Sequence, residues 1–207
     1  MKILGLTGSI GMGKTTTAGM FRQAGVPVFD ADEAVHRLYA RGGAAVHAIG
    51  ALCAEAVSEG QVDRAILGAW ALQGPDRMAA LEAIVHPLVY QARERFLASQ
   101  EASHSAFVLV DIPLLFETHA QAQFDLIVVV TAPAHIQKER VLSRPGQSLE
   151  KLSAILSRQW PDARKRQYAD FVIQTGLGLT DTRAQVRSLI EILTSPEAGA
   201  AAPKSAT

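Results

Sequence analysis

Cysteine is almost absent from this chain of 207 residues: there is one, Cys53, in an alanine-rich stretch that reads as helix. A single thiol excludes an internal disulfide and any cysteine-built zinc site, and it fits a reducing compartment. The six histidines show no i,i+4 or H-E-x-x-H spacing, so histidine-based zinc chemistry is not expected either. Net charge is missing too, because 20 Lys and Arg balance 20 Asp and Glu. A nucleic-acid or membrane-surface partner rewards a clustered basic excess, so neither is expected. Long apolar runs are also lacking. Nothing approaches the roughly 20 residues that span a bilayer, and the run in "MKILGLTG" is too short for a signal peptide. These absences point to a cytoplasmic protein. No internal repeat is visible.

What the chain does have is ample apolar sequence in short blocks. Three nearly continuous runs, "KILGLTG" (2–8), "AFVLVDIP" (106–113) and "FDLIVVVTAP" (124–133), read as strands covered on both faces. "VPVFD" (26–30) and "DFVIQT" (170–175) are shorter candidates. Helical patterns fall between them, at about 14–24, 31–41, 44–56, 63–73, 76–103, 134–143, 148–168 and 179–194. This alternation predicts an α/β fold with a parallel sheet. A crossover needs only a dozen or so residues. The long, almost wholly helical stretch between the second and third strands therefore reads as a helical insertion, about 31–104. The segment at about 134–168 is helical and basic. The last residues, "TSPEAGAAAPKSAT" (194–207), lack apolar periodicity and read as a disordered tail.

The chemistry starts at "GSIGMGKT", which fits G-x-x-x-x-G-K-[ST] with Gly8, Gly13, Lys14 and Thr15 at the constrained positions. A strand precedes it and a helix follows, as a phosphate-binding loop requires. The loop backbone through Gly11, Met12 and Gly13 can curl so that its N–H groups face one anion. The helix opened by Lys14, Thr15 and Thr16 adds partial positive charge. Lys14 can reach the β- and γ-phosphates, and the Thr15 hydroxyl can ligate Mg²⁺. The alternative is a glycine turn before a helix. Base-reading N-K-x-D motifs of GTPases do not occur, and little chain remains for motor modules, which leaves a small kinase.

In "VFDADEAVHRLY" (28–39), Asp30 and Asp32 leave the carboxyl end of the second strand, the end at which such sheets bind ligands. Either could accept a proton from an attacking hydroxyl or position Mg²⁺ through water, and one of them could cap the helix that follows. "VLVDIPLLFE" (108–117) places Asp111 after an apolar strand, where it could hold Mg²⁺ through a water.

Taken in order and spacing with "LEAIVHPLV" (81–89), these motifs strongly resemble the dephospho-CoA kinase family, over about residues 2–193. The resemblance implies a three-layer P-loop kinase with a five-stranded parallel sheet, a helical CoA-binding insertion and a helical lid. It implies ATP and Mg²⁺ as requirements and phosphorylation of the ribose 3′-hydroxyl of dephospho-CoA, the last step of CoA biosynthesis. On this reading, the kinase core comprises about 1–30, 105–133 and 169–193, and the protein is a monomer or weak homo-oligomer. Asp32 matches the family's proposed catalytic base. Thr7 matches a threonine near the acceptor, or else it is a strand-end hydroxyl bonded to backbone. His86, before Pro87, corresponds to an acceptor-orienting histidine. Leu114, Leu115 and Phe116 correspond to the wall of the acceptor pocket, and Glu117 to a pocket group or a first-turn helix acid. Arg140, with Arg144 one turn on, corresponds to the lid arginine that stabilises charge on the transferred group. One departure stands out: where the family commonly reads A-D-x-V-I-x-N-x-G, "ADFVIQTGLG" has Thr175 at the asparagine position. That change leaves the side-chain contact to adenine open. The alternatives are another P-loop small-molecule kinase, a nucleotide-dependent switch, or a catalytically dead relative.

Overall fold

A computed structural model describes residues 1–195 of the chain. Strand β1 (Lys2–Thr7) leads through the glycine loop into helix α1 (Lys14–Gln23), and β2 (Val28–Asp30) follows. Next come α2 (Ala31–Tyr39), α3 (Val46–Leu52), the two-residue strands β3 (Val57–Ser58) and β4 (Gln61–Val62), α4 (Arg64–Ala71) and the long α5 (Pro75–Ala102). The chain then forms β5 (Phe107–Asp111), β6 (Leu126–Thr131), α6 (Ala134–Leu142), α7 (Leu149–Leu156), α8 (Asp162–Gln167), β7 (Phe171–Gln174) and α9 (Leu179–Thr194). The main sheet has five strands in the order β2-β5-β1-β6-β7, with β1 running parallel to both β5 and β6, and β6 parallel to β7. The α/β, parallel-sheet expectation holds. Among the described residues no helix is long and apolar enough to cross a membrane.

The chain divides into two compact units, one built from Met1–Val28 with the chain from Gln100 onward and the other from Phe29–Ser99. In the first, successive side chains of β6 alternate between two cores, as the pleat requires. Val128 and Val130 join Leu4, Leu6, Phe21 and Leu189 on one face, while Ile127 and Val129 join Leu115 and Phe116 on the other. Covering the sheet on both faces is what makes the strands read as continuous apolar runs. The second unit has its own core, which includes Tyr39, Ile49, Leu67 and the buried Cys53.

Three expectations need correction. The helix expected over 44–56 stops at Leu52, and β3 and β4 then pair as an antiparallel hairpin across Glu59-Gly60. Both turn residues have positive φ, 51° and 76°, the geometry of the tightest hairpin turns. The single helix expected over 148–168 is two: α7 ends at Leu156, the Trp160 N–H goes to the Glu117 carboxylate, and Pro161, extended with ψ of 138°, caps the start of α8. Of the expected tail, Thr194 still closes α9, and 196–207 lies outside the described residues.

Candidate active site

The loop from Gly8 to Gly13 sits at the carboxyl end of β1, the central strand. Gly11 and Gly13 have φ of 77° and 88°, a region that costs other residues about 1–2 kcal/mol. A Cβ at Gly8 would lie 2.7 Å from the Val130 carbonyl oxygen. The loop is closed by a turn in which the Met12 N–H donates to the Ser9 carbonyl at 3.1 Å. Its outer side is held by contacts with distant segments. The Thr175 hydroxyl donates to the Met12 carbonyl at 2.8 Å, the Gln137 amide donates to the Ile10 carbonyl at 2.7 Å, and the Ile10 N–H donates to the Gln159 side-chain oxygen at 3.1 Å. The N–H groups of Gly11 and Gly13 engage no acceptor among the described residues. The Ser9 hydroxyl is likewise buried with no partner there. Unused donors beside a helix N-terminus suit an anion.

Lys14 opens α1 and forms an ion pair with Asp111, whose side chain is buried at the end of β5. Asp111 therefore meets the loop lysine directly. Its oxygens and the exposed Thr15 hydroxyl are the hard oxygen donors that Mg²⁺ takes, so the residues present fit that ion. Among the described residues there is no cluster of three or more His, Cys, Asp and Glu that could hold a metal by itself. Thr7, at the end of β1, is wholly buried, and its hydroxyl donates to the Pro113 carbonyl at 3.4 Å.

Arg140, on α6, reaches Thr175 with both terminal guanidinium nitrogens, donating to its hydroxyl at 2.9 Å and to its carbonyl at 2.8 Å. Arg140 and Arg144 line a cavity of about 200 Å³ with Gly11, Gly13, Thr16 and Thr175. The structure thus gathers both arginines at the glycine loop.

Leu114 is exposed, whereas Leu115 and Phe116 are fully buried. Phe116 stacks on Trp160 with centroids 5.4 Å apart. Glu117 is neither a pocket group nor a helix first-turn acid. One of its carboxylate oxygens forms an ion pair with the Lys165 ammonium at 2.8 Å and accepts from the Trp160 N–H at 2.7 Å. Leu115 and Glu117 therefore serve the interior rather than an acceptor pocket. Lys165 is fully buried, and Asp162, near it on α8, accepts from the Thr131 hydroxyl at 2.8 Å. The last part of the expected lid is consequently fixed to the core. Sequence reasoning passed over Lys165 because a lysine in "DARKRQ" looks like part of a solvated basic face. Lys165→Ala is expected to lower stability by about 3–5 kcal/mol, since it strands a buried carboxylate. Combining Lys165→Met with Glu117→Leu should recover most of that loss in chemical denaturation.

In the second unit, Asp30 is the N-cap of α2 and accepts from the Glu33 N–H at 3.1 Å. That resolves which aspartate caps. Asp32, in the first turn, is exposed, and its carboxylate makes no hydrogen bond or ion pair among the described residues. His86 is exposed on α5, directly before the in-helix Pro87.

A family model described as dephospho-CoA kinase (CoaE) matches residues 2–181. A dephospho-CoA kinase of Mesorhizobium japonicum is 52% identical over 193 residues, 93% of this chain and 97% of the relative. Among solved structures, TT1252 from Thermus thermophilus superposes with a TM-score of 0.77 at 32% identity, covering 94% of this chain and 98% of that one. The dephospho-CoA kinase of Campylobacter jejuni shares the fold, with a TM-score of 0.71 at 24% identity over 93% and 96% of the two chains. A glycine loop paired through its lysine with a buried strand-end carboxylate thus comes with a family match over residues 2–181 and a relative 52% identical across most of the chain: the chain belongs to the dephospho-CoA kinase family.

Proposed function

We propose that the protein transfers the γ-phosphoryl group of ATP to the 3′-hydroxyl of the ribose in dephospho-CoA, giving coenzyme A and ADP. The observation that carries this reading is the glycine loop, with unengaged N–H groups on Gly11 and Gly13 beside Lys14, in a chain of this family. The loop from Gly8 to Gly13, with Thr16, cradles the donor phosphates. Lys14 turns from Asp111 toward the β- and γ-phosphates when they are present. Thr15 would ligate Mg²⁺ directly and Asp111 through a water, and the ion when bound neutralises charge on the β- and γ-oxygens.

Asp32 takes the proton of the ribose hydroxyl as its oxygen bonds to the γ-phosphorus and the bond to the ADP oxygen breaks. His86, in a helical substrate-binding insertion of about 31–104, belongs to the acceptor side, together with Thr7 and Leu114 from the kinase core. Arg140 leaves Thr175 to stabilise charge on the transferred group, with Arg144 supporting the phosphates. Its partners are a neutral hydroxyl and a carbonyl, which a phosphate readily outcompetes. Within the 134–168 lid, the part that moves is the stretch between α6 and Gln159, since Gln137 and Gln159 are tied to the glycine loop. The protein acts in the cytoplasm, as a monomer or weak homo-oligomer.

An acceptor screen with ATP, followed by ADP release, tests the reading. Dephospho-CoA is expected to drive turnover at least about 100-fold above adenosine, AMP or shikimate, since a site built to hydrogen-bond its substrate rejects analogues that leave those groups unpaired. Equal or greater turnover with one of the others would assign the protein to a different small-molecule kinase reaction.

A further inference from the structure

The peptide geometry of the glycine loop singles out side chains that lie outside the loop's own motif. In a trans peptide the carbonyl of one residue and the N–H of the next point in opposite directions. A hydrogen bond that fixes the carbonyl therefore fixes the aim of that N–H. The Ile10 carbonyl is held by Gln137 at 2.7 Å, and the N–H on the same peptide is that of Gly11. The Met12 carbonyl is held by the Thr175 hydroxyl at 2.8 Å, and the N–H on that peptide is that of Gly13. These are the two glycine N–H groups left without an acceptor among the described residues. Gln159 holds the remaining side of Ile10 through its N–H.

Glycine is required at 11 and 13 by positive φ, and glycine is also the residue least able to hold its own peptide orientation. External clamps compensate for that freedom. They are built for the purpose. Gln137 and Thr175 are both buried, at 7% and 5% exposure, where an unused amide or hydroxyl would be costly. A Cβ at Gly13 would meet the Thr175 hydroxyl oxygen at 3.2 Å, and one at Gly11 would meet the Gln137 carbonyl oxygen at 3.0 Å. The clamping elements are packed directly against the loop.

We infer that Gln137 and Thr175 are positioning residues that aim the Gly11 and Gly13 N–H groups at the nucleotide's phosphates, with Gln159 bracing the loop from its other side. This deepens the proposed function and rests on its phosphate-site assignment. It also gives Thr175 a role other than contact with the base.

The test is ADP binding by calorimetry without acceptor, together with steady-state kinetics and thermal melts, on Gln137→Met, Thr175→Val and Thr175→Ser. Gln137→Met leaves the contact between Arg140 and Thr175 in place, so its effect reports the loop alone. Gln137→Met and Thr175→Val should each weaken ADP binding about fivefold to tenfold, the size of one neutral hydrogen bond. The KM for ATP should rise in parallel while the KM for dephospho-CoA stays within about twofold, a split expected of uniform donor binding. Thr175→Ser keeps the hydroxyl and should bind ADP within about twofold of wild type. Should either buried variant fail to fold, Gln159→Ala, at a half-buried position, carries the same readout. Wild-type affinity for ADP in the folded variants would overturn the inference, as would equal losses in both KM values. Wild-type protein that does not bind ADP at all would overturn the phosphate-site reading itself, and the inference with it.

Discussion

Lys14→Ala should reduce kcat for phosphoryl transfer by about 10²–10³-fold, the usual cost of removing one preorganised donor from a site of developing charge. The lysine occupies the first position of α1, where the helix dipole and the loop N–H groups converge. Its side chain is only 15% exposed and its ammonium is paired with Asp111. That pairing has two consequences. It holds a flexible four-carbon chain near its working position before nucleotide arrives. It also gives the cation up at moderate cost, because a phosphate offers more negative charge than one carboxylate. The alanine variant should bind ADP more weakly as well, as measured by calorimetry. Near-normal turnover in that variant would remove the phosphate-site assignment.

Asp32→Asn should lower kcat by about 10²–10⁴-fold, the contribution of a positioned general base, while ADP affinity stays within about twofold of wild type. An asparagine has the same shape and cannot accept the proton. The fold should not register the change, because Asp32 is exposed and the capping of α2 is done by Asp30. Surface substitutions of this kind usually shift stability by no more than about 0.5 kcal/mol. Asp30→Ala is the natural control: it should lower stability by about 1 kcal/mol through the lost cap. A rapid-quench measurement of the chemical step separates turnover from product release. Normal chemistry in Asp32→Asn would assign the proton to another group.

The strands and most helices could be read from the chain because their signals are local. β1, β5 and β6 are continuous apolar runs because both faces of the sheet are covered. The glycine loop could be read because four constrained residues fall within eight positions. The hairpin of β3 and β4 was missed because two-residue strands carry no periodicity, and its only signal is a Glu-Gly pair. Glu117 reads as a pocket group or a first-turn helix acid because it ends a motif, and sequence order does not reveal that a fully buried lysine lies opposite it.

By itself the sequence determined that this chain makes a parallel α/β sheet with a phosphate loop on its first strand, since the necessary residues are consecutive and their conformations local. Only the tertiary structure decided which groups hold that loop open. Thr175 meets Met12 across 163 positions and Gln159 meets Ile10 across 149. A threonine hydroxyl or a glutamine amide can bond to any peptide within reach, so its partner is chosen by packing. That is why Thr175 reads in the sequence as a departure from a base-contacting pattern, and in the fold as the group that fixes where a glycine N–H points.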